Sequence, residues 1–334
     1  MANEAPQGPA MIMHMLQGVQ ASAILTAGIK VGVFGALANG AASAATVGER
    51  IKCPARSTRI LLDALSVLGL VRAEGETYAL TPPALDHLVP GKPMYLGDAT
   101  GIFTSEMMWT NMLHLADAVR AGGTVAETHA ETAEHPFWIQ FAKSSASFAF
   151  PGSMAVDAIV KDYIASKPKA RVLDVACGSG IYGFTLAKHP NVELTSLDWP
   201  NVLDETREWS KRLGVDATRV KYLPGNLFEV DFAGPYDVIV MSHIFHHFDA
   251  KTCAGLMRKA ASALAPGGRV AIHDFLADDD GGKMFSIVML GWTRKGESFG
   301  KKDYAAWCEE AGLSAPEVHP SVGMPSSVLI ATKR

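Results

Sequence analysis

The densest run of reactive side chains is Ser242-His243-Ile244-Phe245-His246-His247-Phe248-Asp249. Two chemistries suit three imidazoles and a carboxylate so close together. One is general-base catalysis, because histidine exchanges a proton near neutral pH. The other is metal binding, since His243, His246, His247 and Asp249 are all possible ligands. The helical ligand spacing of an H-E-x-x-H motif is absent. We therefore expect no metal and a single histidine acting as base. Asp249 also suits the N-cap of a following helix.

A second cluster lies upstream. Gly178, Gly180 and Gly183 form a G-x-G-x-x-G after the apolar run at 172–176. Glycine permits a sharp turn and close approach of a ligand to the backbone. Nicotinamide and S-adenosylmethionine (SAM) enzymes both use such loops. Asp174 begins to separate them, because a carboxylate there repels a pyrophosphate and accepts an ammonium or sulfonium. Asp198 follows Gly180 by 18 residues. At a strand end it can accept both hydroxyls of a ribose. Trp199 either stacks on a purine or covers the sheet edge. Asn226 either reads an adenine edge through its amide or serves the turn beside Gly225.

These residues need a scaffold. Strands are expected at 171–176, 192–198, 220–223, 236–241, 269–273 and 327–331. Helices are expected at 181–189, 201–213, 251–264 and 303–311. Such alternation predicts a parallel sheet with helices on both faces. Ligands then bind at the carboxyl ends of the strands. Those ends collect Cys177, Gly178, Asp198, Gly225, Asn226, the 242–247 segment, His273 and Asp274.

The first third reads differently. A helix is expected over 11–38, broken at Gly28 and ended at Asn39-Gly40. A short helix over 46–51 takes Thr46 as N-cap, and a longer one spans Pro54 to Leu68. Val71 to Leu80 reads as a hairpin turning at Glu74-Gly75-Glu76. This is a winged-helix pattern. Its acidic tip would be repelled by DNA phosphates, so it is read as a packing module. Residues 100–165 read as mostly helical and rich in bulky apolar side chains.

Composition sets the bounds. The chain has 334 residues, enough for two domains, and its net charge of −4 offers no general attraction for nucleic acid or anionic membrane. The four cysteines form no C-x-x-C pair, which points to a reducing, cytoplasmic compartment. Ala5 to Ile29 carries no Asp, Glu, Lys or Arg and is long enough to span a bilayer. Polar residues interrupt it and no basic segment precedes it, so a helix buried against a partner chain is the expectation, without membrane insertion.

The chain resembles class I SAM-dependent small-molecule O-methyltransferases, of the plant caffeic-acid and bacterial secondary-metabolite type. Leu173-Asp174-Val175-Ala176-Cys177-Gly178-Ser179-Gly180 looks like the family's first SAM motif. Leu197-Asp198 followed by Pro200 looks like its ribose motif, and Ala265-Pro266-Gly267-Gly268-Arg269 like the turn before its fifth strand. The stretch from His114 to Gly123 resembles its linker helix. The resemblance implies a winged-helix dimerisation domain over 1–100 and a helical linker over 101–165 that contributes to a substrate pocket. It implies a Rossmann-like α/β SAM domain over 166–334, and a homodimer.

The resemblance also assigns residues. His246 takes the position of the family's catalytic base. His247 and Phe248 replace its frequent Asp and Trp. Asp274 and Glu297 match two acids that flank the base. Asp174, Gly178, Gly180, Asp198, Trp199, Asn226, Leu227 and Ser242 are assigned to the cofactor. Asn226 stands where the family has Asp, and Ser242 where it has Lys. Phe103, Met107, Phe141, Phe150, Met154 and Met289 are assigned to the pocket of a small, aromatic or apolar acceptor. A nitrogen, sulfur or carbon acceptor is the alternative on the same fold. A winged-helix regulator that binds a ligand without turnover is the alternative from another class.

Overall fold

The computed structural model describes residues 7–92, 94–321 and 325–334, so Ala5 and Pro6 of the uncharged stretch lie outside it. The chain forms two compact units, Met1–Ser105 and Glu106–Arg334.

In the first unit, helices run Pro9–Leu16, Gly18–Val31 and Val33–Ala36. The expected break at Gly28 does not occur. Gly28 lies within the helix Gly18–Val31 and packs closely on Leu65, where a Cβ would stand at 3.1 Å. The breaks fall at Gln17 and at Gly32, whose φ of 88° is left-handed. The helix Ala44–Ile51 is capped by Ser43, whose Oγ accepts from Thr46 N at 3.2 Å, so Thr46 receives the cap rather than supplying it. Strands β1 (Ala42–Ser43), β2 (Val71–Glu74) and β3 (Thr77–Leu80) form a sheet of order β1-β3-β2. The hairpin packs on the helix Ala55–Val67, where Tyr78 Oη donates to Asp63 at 2.6 Å. Phe34, Val47, Leu62, Leu65 and Val71 fill the core. The helix Pro9–Leu16 buries none of its residues.

The second unit is built on seven strands. They are β4 (Ala170–Val175), β5 (Val192–Asp198), β6 (Val220–Pro224), β7 (Tyr236–Ser242), β8 (Leu264–Asp274), β9 (Glu317–Pro320) and β10 (Ser327–Thr332). Their order is β6-β5-β4-β7-β8-β10-β9. The first five are parallel, but β10 runs antiparallel to β8 and β9, so the sheet is mixed. The short connection from β9 to β10 accounts for the antiparallel sense of that pair.

Side chains alternate across the sheet. Leu173, Val175, Ile239, Met241 and Ile272 enter one core with the helices Ala250–Ala263 and Lys301–Glu310. Val172, Val238, Val240 and Ala271 enter the other with Ala146–Ala165 and Ile181–Leu186. The helices Glu106–Leu113, Leu115–Ala121 and Pro136–Ser144 also belong to this unit, whereas Thr100–Phe103 belongs to the first.

Candidate active site

The glycine loop is shaped by backbone sterics. Ala176 at φ 53° bends the chain out of β4, followed by Gly178 at 54° and Gly180 at 77°. A Cβ on Gly180 would fall 2.5 Å from Phe184 and 2.8 Å from Thr206. Gly183 N donates to Asp174 Oδ2 at 2.8 Å, which starts the helix Ile181–Leu186 against β4. By contrast, the nearest heavy atom to a Cβ on Gly178 is a ring carbon of Phe141, 4.0 Å away. Space opens there.

Two carboxylates border the loop. Asp174 is fully buried, and its Oδ1 has no hydrogen-bond partner among the described residues. Burial pushes its carboxyl up to about 8. An unpaired buried carboxylate oxygen calls for a donor or a cation. Asp198 Oδ2 accepts from Gly178 N at 2.8 Å and Oδ1 from Trp199 N at 2.7 Å. Burial pushes Asp198 up to about 6. A carboxylate offers about four acceptor positions, so two remain open to further donors.

The other assigned cofactor residues are placed as follows. Trp199 is half-buried at the N-cap of Pro200–Arg212. Asn226 serves the turn: its Oδ1 accepts from Phe228 N at 3.0 Å and its Nδ2 donates to Glu229 at 3.1 Å. Leu227 gives its carbonyl to Lys259 at 2.7 Å. Ser242 ends β7, partly buried. An orphaned carboxylate oxygen, a second carboxylate with spare lone pairs, and open space at Gly178 together fit a ligand bearing an ammonium group and a ribose.

The second centre lies at the ends of the next two strands, β7 and β8. Ser242 pairs with His273, which sets the ends of β7 and β8 side by side. His246, on the turn Phe245–His247, places Nδ1 2.5 Å from Asp274 Oδ1. Both side chains are buried. Phe275 N donates to the same oxygen at 2.9 Å. Burial alone would push Asp274 up, but the His246 imidazole opposes it most strongly and holds the carboxyl at about 2. The edge of Phe285 meets the His246 ring at 4.8 Å, and Phe285 stacks on Phe275 at 4.1 Å. The Phe285 contact and the Asp274 hydrogen bond together restrain the imidazole.

Glu297 is exposed and makes no hydrogen bond or ion pair with His246 or Asp274, while its neighbour Gly296 packs against the segment, where a Cβ would fall 2.3 Å from the His246 carbonyl oxygen. His243, at φ 52°, stands 3.8 Å from Asp274, and burial pushes it down to about 3. Donor atoms of His243, His246 and Asp274 lie within 4.8 Å of one another. The His246–Asp274 hydrogen bond already engages two of those three groups. Asp249 caps the next helix, accepting from Thr252 N at 2.8 Å.

The six assigned pocket residues divide. Phe141 joins a ring cluster with Phe137, Trp138 and Trp292, and Met107 and Met289 pack in the same cluster. Trp138 meets His247 edge-on at 5.3 Å, which connects the cluster to the base segment. Phe150 instead packs against the sheet core beneath Lys188, because its helix buries the Ala149–Val156 side. Met154 is 42% exposed. Phe103 belongs to the first unit and is 58% exposed. Sequence reading missed Phe275 and Tyr304. Tyr304 carried only a helical signal, its spacing to Trp307 and Cys308.

A glycine loop, buried carboxylates at the ends of β4 and β5 and this strand order mark a Rossmann-like α/β domain. Residues 172–268 match the methyltransferase domain family, and 13–89 match the O-methyltransferase dimerisation domain family. The chain is 27% identical over 317 residues to 3-hydroxy-5-methyl-1-naphthoate 3-O-methyltransferase of Streptomyces sahachiroi, covering 92% of this chain and 90% of that one. A crystal structure from Nostoc punctiforme, assigned as an O-methyltransferase, superposes with a TM-score of 0.91 at 30% identity, covering 98% of this chain and all of that one. Human N-acetylserotonin methyltransferase in complex with SAM shares the fold, with a TM-score of 0.84 at 20% identity over 100% of this chain and 99% of that one. The chain belongs to the SAM-dependent O-methyltransferases that carry a dimerisation domain.

Proposed function

We propose that this enzyme methylates a hydroxyl of a small aromatic or apolar molecule, with His246 as general base and Asp274 as its orienting acid. The observation that carries this is the buried 2.5 Å contact from His246 Nδ1 to Asp274 Oδ1. SAM, when bound, supplies an electrophilic methyl group. Asp198 holds its ribose, Asp174 faces its ammonium end, and the backbone at Gly178 admits it.

With Nδ1 engaged by Asp274, Nε2 of His246 is the nitrogen that takes the acceptor proton. A phenolic or alcoholic hydroxyl is a weaker acid than an ordinary imidazolium, so complete transfer ahead of the chemistry is uphill. Proton removal therefore accompanies formation of the C–O bond. Asp274 stabilises the resulting imidazolium. Met107, Phe141 and Met289, with the rings of Phe137, Trp138 and Trp292, supply the apolar lining. Alignment of the two ligands provides much of the remaining rate. Labelled SAM tested against hydroxylated aromatics and matched amines checks the acceptor. Label in the hydroxyl compounds is expected, and label confined to the amines would overturn the reading.

The first unit is read as a winged-helix module that pairs with a second copy. Pro9–Val31 is long and apolar enough to cross a membrane. The dimerisation match from residue 13 and the exposed Met11, Ile12, Met15, Leu16 and Val19 favour a protein partner instead. Light scattering at micromolar concentration is expected to give twice the monomer mass; monomer alone would refute the pairing. Four free cysteines suit a reducing cytoplasm.

A further inference from the structure

We infer that Tyr304 is a positioning residue for methyl transfer, holding Asp274 in the orientation that presents His246 to the acceptor. The inference rests on His246 being the base.

Tyr304 Oη donates to Asp274 Oδ2 at 3.2 Å. It thus occupies the carboxylate oxygen that His246 leaves free. Asp274 Oδ1 takes His246 Nδ1 and Phe275 N, so bonds to both oxygens fix the carboxylate plane. Tyr304 is itself immobilised. It is fully buried on the helix Lys301–Glu310, with Trp307 edge-on at 5.1 Å. Phe245, the residue before His246, packs against Tyr304 at 5.5 Å and against Trp307 at 5.9 Å. One helix therefore grips the base segment from two directions, through the Phe245 ring and through the Asp274 carboxylate.

A phenol is a costly choice for this position unless its hydroxyl has work there. Buried polar groups must be paired, and phenylalanine would fill nearly the same volume without that demand. Burial and the neighbouring Asp274 push the Tyr304 hydroxyl well above its ordinary range, so it remains a donor throughout the working pH range. The titratable groups around the pair are His243 and His247 on its own segment, His273 on β8, Cys253 on Ala250–Ala263, and Asp303 beside Tyr304.

The test compares Tyr304→Phe, Asp274→Asn, the double variant and His246→Ala. For Tyr304→Phe we expect unchanged SAM affinity and a fall in kcat of about tenfold. The acid limb of kcat/KM should move to higher pH, because an undivided carboxylate bonds His246 more strongly. On the Asp274→Asn background the same substitution should add little. A lower Tm with an unmoved pH profile would make Tyr304 merely structural and overturn the inference, as would additive losses in the double variant. Near-normal transfer by His246→Ala would instead sink the base assignment itself, so the two failures are distinguishable.

Discussion

Replacing His246 with alanine is expected to lower kcat by about 10²–10⁴-fold while leaving SAM affinity within twofold. The two effects separate because the base and the cofactor loop occupy different strand ends. His246 follows β7 and bonds to the end of β8, whereas the loop follows β4. The substitution leaves Asp274 buried without its imidazole partner, so some loss of stability is expected as well. Rapid-quench transfer and calorimetric SAM binding on the same preparation distinguish lost chemistry from lost fold. Near-normal transfer would show that proton removal needs no imidazole here, and would shift attention to acceptors other than hydroxyls.

Asp198→Ala should show the reverse pattern, with SAM affinity falling by about 10²-fold or more. The substitution removes the acceptor for both ribose hydroxyls, and charge-assisted hydrogen bonds contribute about 1.5–3 kcal/mol each. It also strips Gly178 N and Trp199 N of their partner, so the loop loses its anchor. The native enzyme should show a related pH dependence. Burial pushes Asp198 up to about 6. As pH falls through that value the carboxylate takes a proton, loses acceptor capacity, and cofactor affinity drops. Stability moves the other way. A raised pKa favours the folded state fully below the unfolded value of about 3.9, and that contribution is lost as pH rises through about 6. Calorimetry and thermal melts between pH 5 and 8 check both signs. A flat binding profile would remove Asp198 from the ribose.

Much of the cofactor side was legible because its signals are local. The apolar run before the glycines and the carboxylates at strand ends follow from pleat and turn geometry alone. The sense of β10 was not legible, since a buried apolar strand reads the same in either direction. Where Glu297 lies relative to the base depends on how the backbone at Gly296 packs against His246, which no pattern of residue types records. The break at Gly32 rather than Gly28 turned on which glycine faced Leu65. In the 106–165 helices, aromatic content was plain, but which rings met depended on tertiary contact. Phe141 turned toward Trp138, and Phe150 packed on the sheet core.

The Asp198 clasp has a consequence for turnover. Its carboxylate is anchored by two backbone amides, so on the proposed reading a nucleoside meets a pre-shaped seat and little ordering entropy opposes it. The ribose is the same before and after the methyl group departs. With Asp198 as the ribose acceptor, this seat would grip the spent cofactor as firmly as the fresh one. Any preference for fresh cofactor must come from the sulfonium end of the site. Product inhibition is the natural cost of so well-formed a nucleoside cradle, and cofactor exchange becomes a candidate for the slow step of the cycle.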